Sequence, residues 1–153
     1  MNTKTILFVC TGNTCRSSMA AALFKNLIEQ SGDGKAIKIL SAGTAAFEGQ
    51  RASPNAIAVM DEKGVDLRGH RAAVLTREKI MQSDLILTMT NSHKNQVIKI
   101  APEAAGKTYT LKEYTNISDG NTDIFDPFGQ SIDTYRKSAQ EIEFALKILL
   151  KMI

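Results

Sequence analysis

Apolar positions along the chain fall into two patterns. Four short runs read as strands: Thr5-Ile6-Leu7-Phe8-Val9, Ala36-Ile37-Lys38-Ile39-Leu40, Asp84-Leu85-Ile86-Leu87-Thr88-Met89 and Thr108-Tyr109-Thr110-Leu111. The first and third lack polar alternation, as strands buried on both faces of a parallel sheet do. Between the runs, apolar residues recur at spacings of three and four, the helical period. Met19, Ala20, Leu23, Phe24, Leu27 and Ile28 form one such stripe, expected to end near Ser31-Gly32. Ser53-Pro54 reads as an N-cap followed by proline in the first turn. The helix it opens carries Ala56, Ile57, Val59 and Met60 and stops at Gly64. Thr76 caps a short helix through Met81, and Asn91 to Ile100 forms another, ending before Pro102. Lys112 to Asp126 reads as a polar surface loop. From about Ser131 a last helix places Tyr135, Ala139, Ile142, Ala145, Leu146, Leu149 and Met152 on one face.

Strands alternating with helices imply an α/β fold, a parallel sheet with helices on both faces. Ligands in such folds bind at the carboxyl ends of the strands. The turn after the first strand is therefore the first place to look for chemistry.

Composition narrows the classes. Residues 1–153 fit a single domain, and 43% hydrophobic with 23% charged residues is the mix of a globular protein. A formal charge of +3 is too mild and too evenly spread to argue for nucleic acid or a membrane surface. The apolar runs are far shorter than the ~20 residues of a membrane helix. The opening run, interrupted by Thr11, Asn13 and Arg16, is too short for a signal peptide, so a cytoplasmic protein with reduced cysteines is expected. Cys10 and Cys15 lie far from His70 and His93, so no closed metal site is expected.

The first turn reads Cys10-Thr11-Gly12-Asn13-Thr14-Cys15-Arg16-Ser17. A Cys with an Arg six residues on is weak alone. Here it ends a buried strand and opens a helix. Backbone N–H groups from Thr11 to Arg16 can form an anion-binding nest, and the helix N-terminus adds its positive dipole end. Arg16 can hold two oxygens of a tetrahedral anion bidentately. Gly12 and Asn13 tolerate a positive φ. The same field predicts a depressed Cys10 thiol, a nucleophile that would form phosphocysteine. The plainer alternative is a small buried residue ending a strand.

Phe-Val-Cys-Thr-Gly-Asn-Thr-Cys-Arg-Ser resembles the phosphate loop of low-molecular-weight protein tyrosine phosphatases. Ser41-Ala42-Gly43, Asp84 to Thr90, His93 and Asp126-Pro127-Phe128 extend the likeness across nearly the whole chain. Within the family, the Thr-Gly-Asn-Thr loop with a later Asp-Pro-Phe-Gly most resembles bacterial protein-arginine phosphatases. The resemblance implies a four-stranded sheet in order 2-1-3-4. It also implies a general acid at Asp126 and a supporting network of Asn13, Ser17, Ser41 and His70. Two positions depart from the family: Ser18 stands where Pro is usual, predicting a looser helix start, and Ala21 where Glu is common. Read without the resemblance, Asp126 could equally initiate a turn, His70 could be an exposed loop residue, and His93 is expected on the surface.

Thr14 and Phe128 shape the expected specificity. Tyrosine-specific relatives usually carry a larger aliphatic residue at Thr14 and aromatics after Asp-Pro. Thr14, the single ring of Phe128 and Gly129 favour a planar phosphorylated guanidinium, with phosphotyrosine as the alternative. An arsenate reductase on this fold would resemble a thiol relay, yet no cysteine follows Cys15. A non-catalytic phosphoanion-binding module is the reading from another class. Cys10 and Cys15 are expected within disulfide reach, a reversible oxidation device; the alternative is that Cys15 simply packs under the loop. No metal or cofactor is expected, the partners are phosphorylated proteins, and the chain is expected to act as a monomer.

Overall fold

A computed structural model describes residues 3–32, 36–117 and 119–153. The strands are β1 (Lys4–Cys10), β2 (Ile37–Gly43), β3 (Leu85–Thr88) and β4 (Thr108–Thr110). All neighbours pair in parallel, in the order β2-β1-β3-β4. The helices are α1 (Arg16–Ser31), α2 (Pro54–Glu62), α3 (Arg77–Gln82), α4 (Asn91–Ile100), α5 (Leu111–Tyr114) and α6 (Ile132–Met152), with a 3-10 turn at Pro102–Lys107.

Alternate residues of β1 feed two cores, as side chains alternate across a strand. Ile6, Phe8 and Cys10 join the core beneath α1, α2 and α6. Leu7 and Val9 join the smaller one on the opposite face, with Leu75, Ile80, Ile86 and Val97. In α1 the stripe of Met19, Leu23 and Phe24 is buried, each worth roughly 1.5–3 kcal/mol relative to exposure. Phe24 meets Phe8 edge to face, ring centroids 6.0 Å apart. The helix stops where expected, on Gly32 with φ 67. Ser53 caps α2 by accepting from the Ala56 N–H, and Thr76 caps α3 by accepting from that of Lys79. The stripe of α6 is buried from Tyr135 to Leu149, but Met152, expected on it, is 48% exposed at the helix end.

One segment differs from the sequence reading. Lys112 to Asp126 is not wholly a surface loop, because its start folds into α5 through a capping box. Thr110 accepts from the Glu113 N–H while the Glu113 carboxylate accepts from the Thr110 N–H. Lys112 is buried, with its ammonium on Asp119 at 2.6 Å and Glu141 at 3.3 Å. These contacts fasten the start of the Asp126 loop to α6.

Candidate active site

β1 delivers Cys10 to the carboxyl edge of the sheet, and the chain turns back into α1 within residues 11–15. So tight a turn forces one residue into the left-handed region, and Asn13 takes it with φ 58. Gly12 keeps a negative φ; only Asn13 of the two expected residues supplies the turn. β2 supports the loop from beneath. Thr44 and Ala45 donate N–H groups to the carbonyls of Cys10 and Thr11, each at 2.9 Å. Gly43 leaves no room for a side chain, since an added Cβ would stand 2.3 Å from the Thr11 carbonyl oxygen.

The Cys10 sulfur lies 2.8 Å from the Ser17 hydroxyl and accepts the Asn13 N–H at 3.3 Å. Asn13 ties the loop together: its amide donates to Ser17 at 2.7 Å, and its Oδ1 accepts the Ala73 N–H at 3.0 Å. His70 donates from Nε2 to the Asn13 carbonyl at 2.7 Å, which fixes its tautomer. Asn13 and Ser17 thus touch Cys10, and His70 is linked to it through Asn13. Ser41 is not brought into this group: it lies on β2, lines a separate hollow beside His70, and makes no hydrogen bond to the loop among the described residues. Ser18 compensates for the missing proline. Its hydroxyl donates to the Cys15 carbonyl at 2.9 Å, closing the first turn of α1 that was expected to be loose.

His93 is the clearest departure from the sequence reading. It is buried rather than on the surface. Its Nε2 pairs with the Thr11 hydroxyl at 2.8 Å and its Nδ1 with that of Thr90 at 2.9 Å. Burial, aided by Arg16, pushes its pKa down to about 4, so the ring is neutral at pH 7. The signal that could have found it is Thr90 three residues earlier, an N-cap whose hydroxyl also accepts the His93 N–H.

Burial pushes the Cys10 thiol up from its ordinary value, against the pull of Ser17, Arg16 and the Asn13 N–H. The sequence predicts the reverse. The physical reason is burial itself, which outweighs all of these contacts together. The Arg16 guanidinium also serves the far side of the loop: Nη1 donates to the Ile124 carbonyl at 3.0 Å, and Nη2 stands 3.5 Å from the Asp126 carboxylate.

Asp126 is 53% exposed at the mouth, and its other oxygen accepts the Phe128 N–H at 3.1 Å. The turn-initiator reading is therefore realised beside the ion pair. A pocket of about 250 Å³ has Cys10 and Arg16 at its floor and Thr14, Asp126 and Phe128 at its rim. The single aromatic wall expected there is in fact double. Phe47, on the loop after β2, lines the same pocket and is 76% exposed. Cys15 also lines this pocket, and the hydroxyls of Ser53 and Tyr135 each stand 3.4 Å from its sulfur.

Residues 5–153 match the family described as low molecular weight phosphotyrosine protein phosphatase. A protein-arginine-phosphatase of Geobacillus stearothermophilus is 45% identical over 138 residues, covering 90% of this chain and 88% of that one. A solved low molecular weight protein tyrosine phosphatase from T. tengcongensis superposes with a TM-score of 0.91 at 37% identity, covering 99% of this chain and 100% of that one. A solved YwlE arginine phosphatase, a cysteine-to-serine mutant with a phosphorylated active-site serine, superposes with a TM-score of 0.90 at 41% identity, covering 97% and 94%.

Proposed function

The chain belongs to the low molecular weight phosphotyrosine protein phosphatase family, and on that premise we propose that it hydrolyses phosphoarginine in proteins through a phosphocysteine on Cys10. A phosphoryl dianion enters the loop and takes the place of the Asp126 carboxylate on Arg16, where bidentate contact is the stronger option. The Cys10 proton passes to a phosphoryl oxygen, and the thiolate attacks phosphorus from the pocket floor. The S–P bond forms as the P–N bond breaks, and the electron pair leaves on the guanidine nitrogen. Asp126, freed at the rim, takes up the proton now on the phosphoryl oxygen and passes it to that nitrogen. Water then attacks phosphorus while Asp126 takes its proton, and the electron pair of the S–P bond returns to sulfur. Asn13, Ser17 and His70 hold the loop in shape throughout. Charge neutralisation rests on Arg16, the loop amides and the α1 N-terminus, so turnover is expected to persist in EDTA.

The observation that carries the preference for phosphoarginine is the rim. Thr14 lines the same pocket as Cys10 and Phe128, and its short side chain leaves room for a planar guanidinium. Phe47 and Phe128 supply faces on which such a plane stacks. Several relatives bear the name protein-tyrosine-phosphatase, which keeps phosphotyrosine as the second reading. Kinetics on matched phosphoarginine and phosphotyrosine peptides decide between them. The wild type is expected to favour phosphoarginine in kcat/KM, and Thr14→Ile to reverse or erase that preference. If phosphotyrosine is the better substrate of the wild type, or isoleucine leaves the ratio unchanged, the reading fails.

A further inference from the structure

A second hollow of about 600 Å³ opens beside the active pocket and shares Thr14, Gln50 and Phe128 with it. Phe128, 65% exposed, is the ridge between the two. The floor of the second hollow is apolar, formed by Ala52, Pro54 and the half-buried Ile57. Arg51 stands at its edge.

Arg51 is unusual among the arginines of this surface. Arg68 is paired with Asp61 and Asp66, Arg77 with Glu103, and Arg136 with Glu62 and Asp133. Arg51 has no carboxylate partner among the described residues, and an antiparallel bridge sets it directly opposite Arg71. Among the described residues, the Arg71 guanidinium is held by the backbone carbonyls of Arg68 and His70 alone. Like charges placed opposite each other across such a bridge repel. Among the described residues, Arg51 is thus a cation without a carboxylate partner at the edge of an apolar trough that is continuous with the pocket holding Cys10.

We propose that this groove binds the stretch of protein substrate flanking the phosphorylated residue, with an apolar side chain over Pro54 and Ile57 and an acidic side chain against Arg51. The inference rests on the phosphatase reading and deepens it: the preferred substrate is a phosphorylated residue in an acidic, apolar-containing segment. Continuity fixes the occupant. A chain whose phosphorylated side chain reaches Cys10 past Phe128 must lay its neighbouring residues on one side of that ring or the other, and the side bordered by Arg51 carries both apolar and ionic complementarity. The exposed ionic contact is worth at most ~1 kcal/mol, or about fivefold in kcat/KM.

Two phosphoarginine peptides of equal length test this, one flanked by Leu and Glu, the other by Leu and Lys. The wild type is expected to process the acidic peptide about fivefold better, and Arg51→Glu to invert that ratio. A third peptide with Ser in place of Leu is expected to lose efficiency through KM. Using the ratio within each variant removes any change in overall activity. Equal kcat/KM on acidic and basic peptides by the wild type, or an unchanged ratio in Arg51→Glu, overturns the groove. Turnover of p-nitrophenyl phosphate by the wild type, which carries no flanking residues, reports separately on the phosphatase reading. Turnover there together with equal peptide ratios sinks the groove alone; no turnover of any phosphorylated compound sinks both.

Discussion

Cys10 and Cys15 share one loop, and each is buried against hydroxyl groups. Burial raises the Cys10 thiol, and the Ser17 hydroxyl is the strongest of the contacts pulling it back. Removing that hydroxyl leaves burial less opposed, so Ser17→Ala moves the thiol still higher. Iodoacetamide labelling of Cys10 is expected to rise toward alkaline pH in the wild type and to need a higher pH still in Ser17→Ala. Formation of phosphocysteine slows in the same variant, because less of the thiol is ionised at a given pH. Unaltered labelling and turnover in Ser17→Ala would mean the contact does not tune the sulfur. Cys15 has Ser53 and Tyr135 as neighbours, and both cysteines are unpaired thiols. We propose that peroxide oxidises Cys10 to a sulfenic acid, which the Cys15 thiol attacks to form a disulfide with loss of water. Mass spectrometry after brief peroxide treatment is expected to find the cross-linked loop peptide, reversible by dithiothreitol. Sulfonic acid at Cys10 with Cys15 untouched would refute it.

At the scale of elements, the active loop depends on how closely β2 approaches it. The Cβ of Gly43→Ala would stand 2.3 Å from the Thr11 carbonyl and 2.9 Å from the Ala46 Cβ, so backbone must move. Overpacking of this kind costs ~1–3 kcal/mol, and a shift of about 1 Å in a catalytic loop can cost roughly a hundredfold in rate. Gly43→Ala is expected to stay folded, with a lowered thermal midpoint and kcat/KM down by about that factor. A variant with wild-type kinetics would show the loop to be indifferent to its support. The order of strands and helices was legible because buried parallel strands leave uninterrupted apolar runs and amphipathic helices leave stripes. The phosphate loop was legible because its residues are contiguous. What escaped depends on contacts between distant segments. His93 sits in a polar helix start and is buried only because Thr11 of another loop meets it. Lys112 reads as a loop charge and is covered only because Asp119 and Glu141 fold over it. Phe47 reaches the pocket from the β2 loop, which no local pattern associates with Cys10.

For the molecule as a whole, acid stability separates into two regimes with different physical origins. The chain contains two histidines, and both carry the active loop: His70 on the Asn13 carbonyl and His93 on Thr11. Burial lowers both pKa values, that of His93 to about 4. In the unfolded chain each titrates near ~6.5. Between those limits the unfolded state binds more protons, so stability falls as pH drops from about 6.5 toward 4. Carboxylates take over below. Arg77 holds Glu103 down to about 2, and Lys112 and Arg136 depress Asp119 and Glu62. Their contribution is present above the ordinary carboxylate range and is lost as pH falls through their folded values. The carboxylates of the second regime face solvent, where salt screens their pairs over a Debye length of about 10 Å at 0.1 M. The first belongs to burial, which salt leaves alone. Urea midpoints measured from pH 8 to 3 at low and high salt are therefore expected to show two declines, only the lower one shrinking with salt. His93→Asn, which cannot take a proton, is expected to flatten the upper decline without touching the lower. A midpoint that stays level between pH 6.5 and 4 would show that the histidines are not held neutral, and the neutral ring bridging Thr11 to Thr90 would have to be given up.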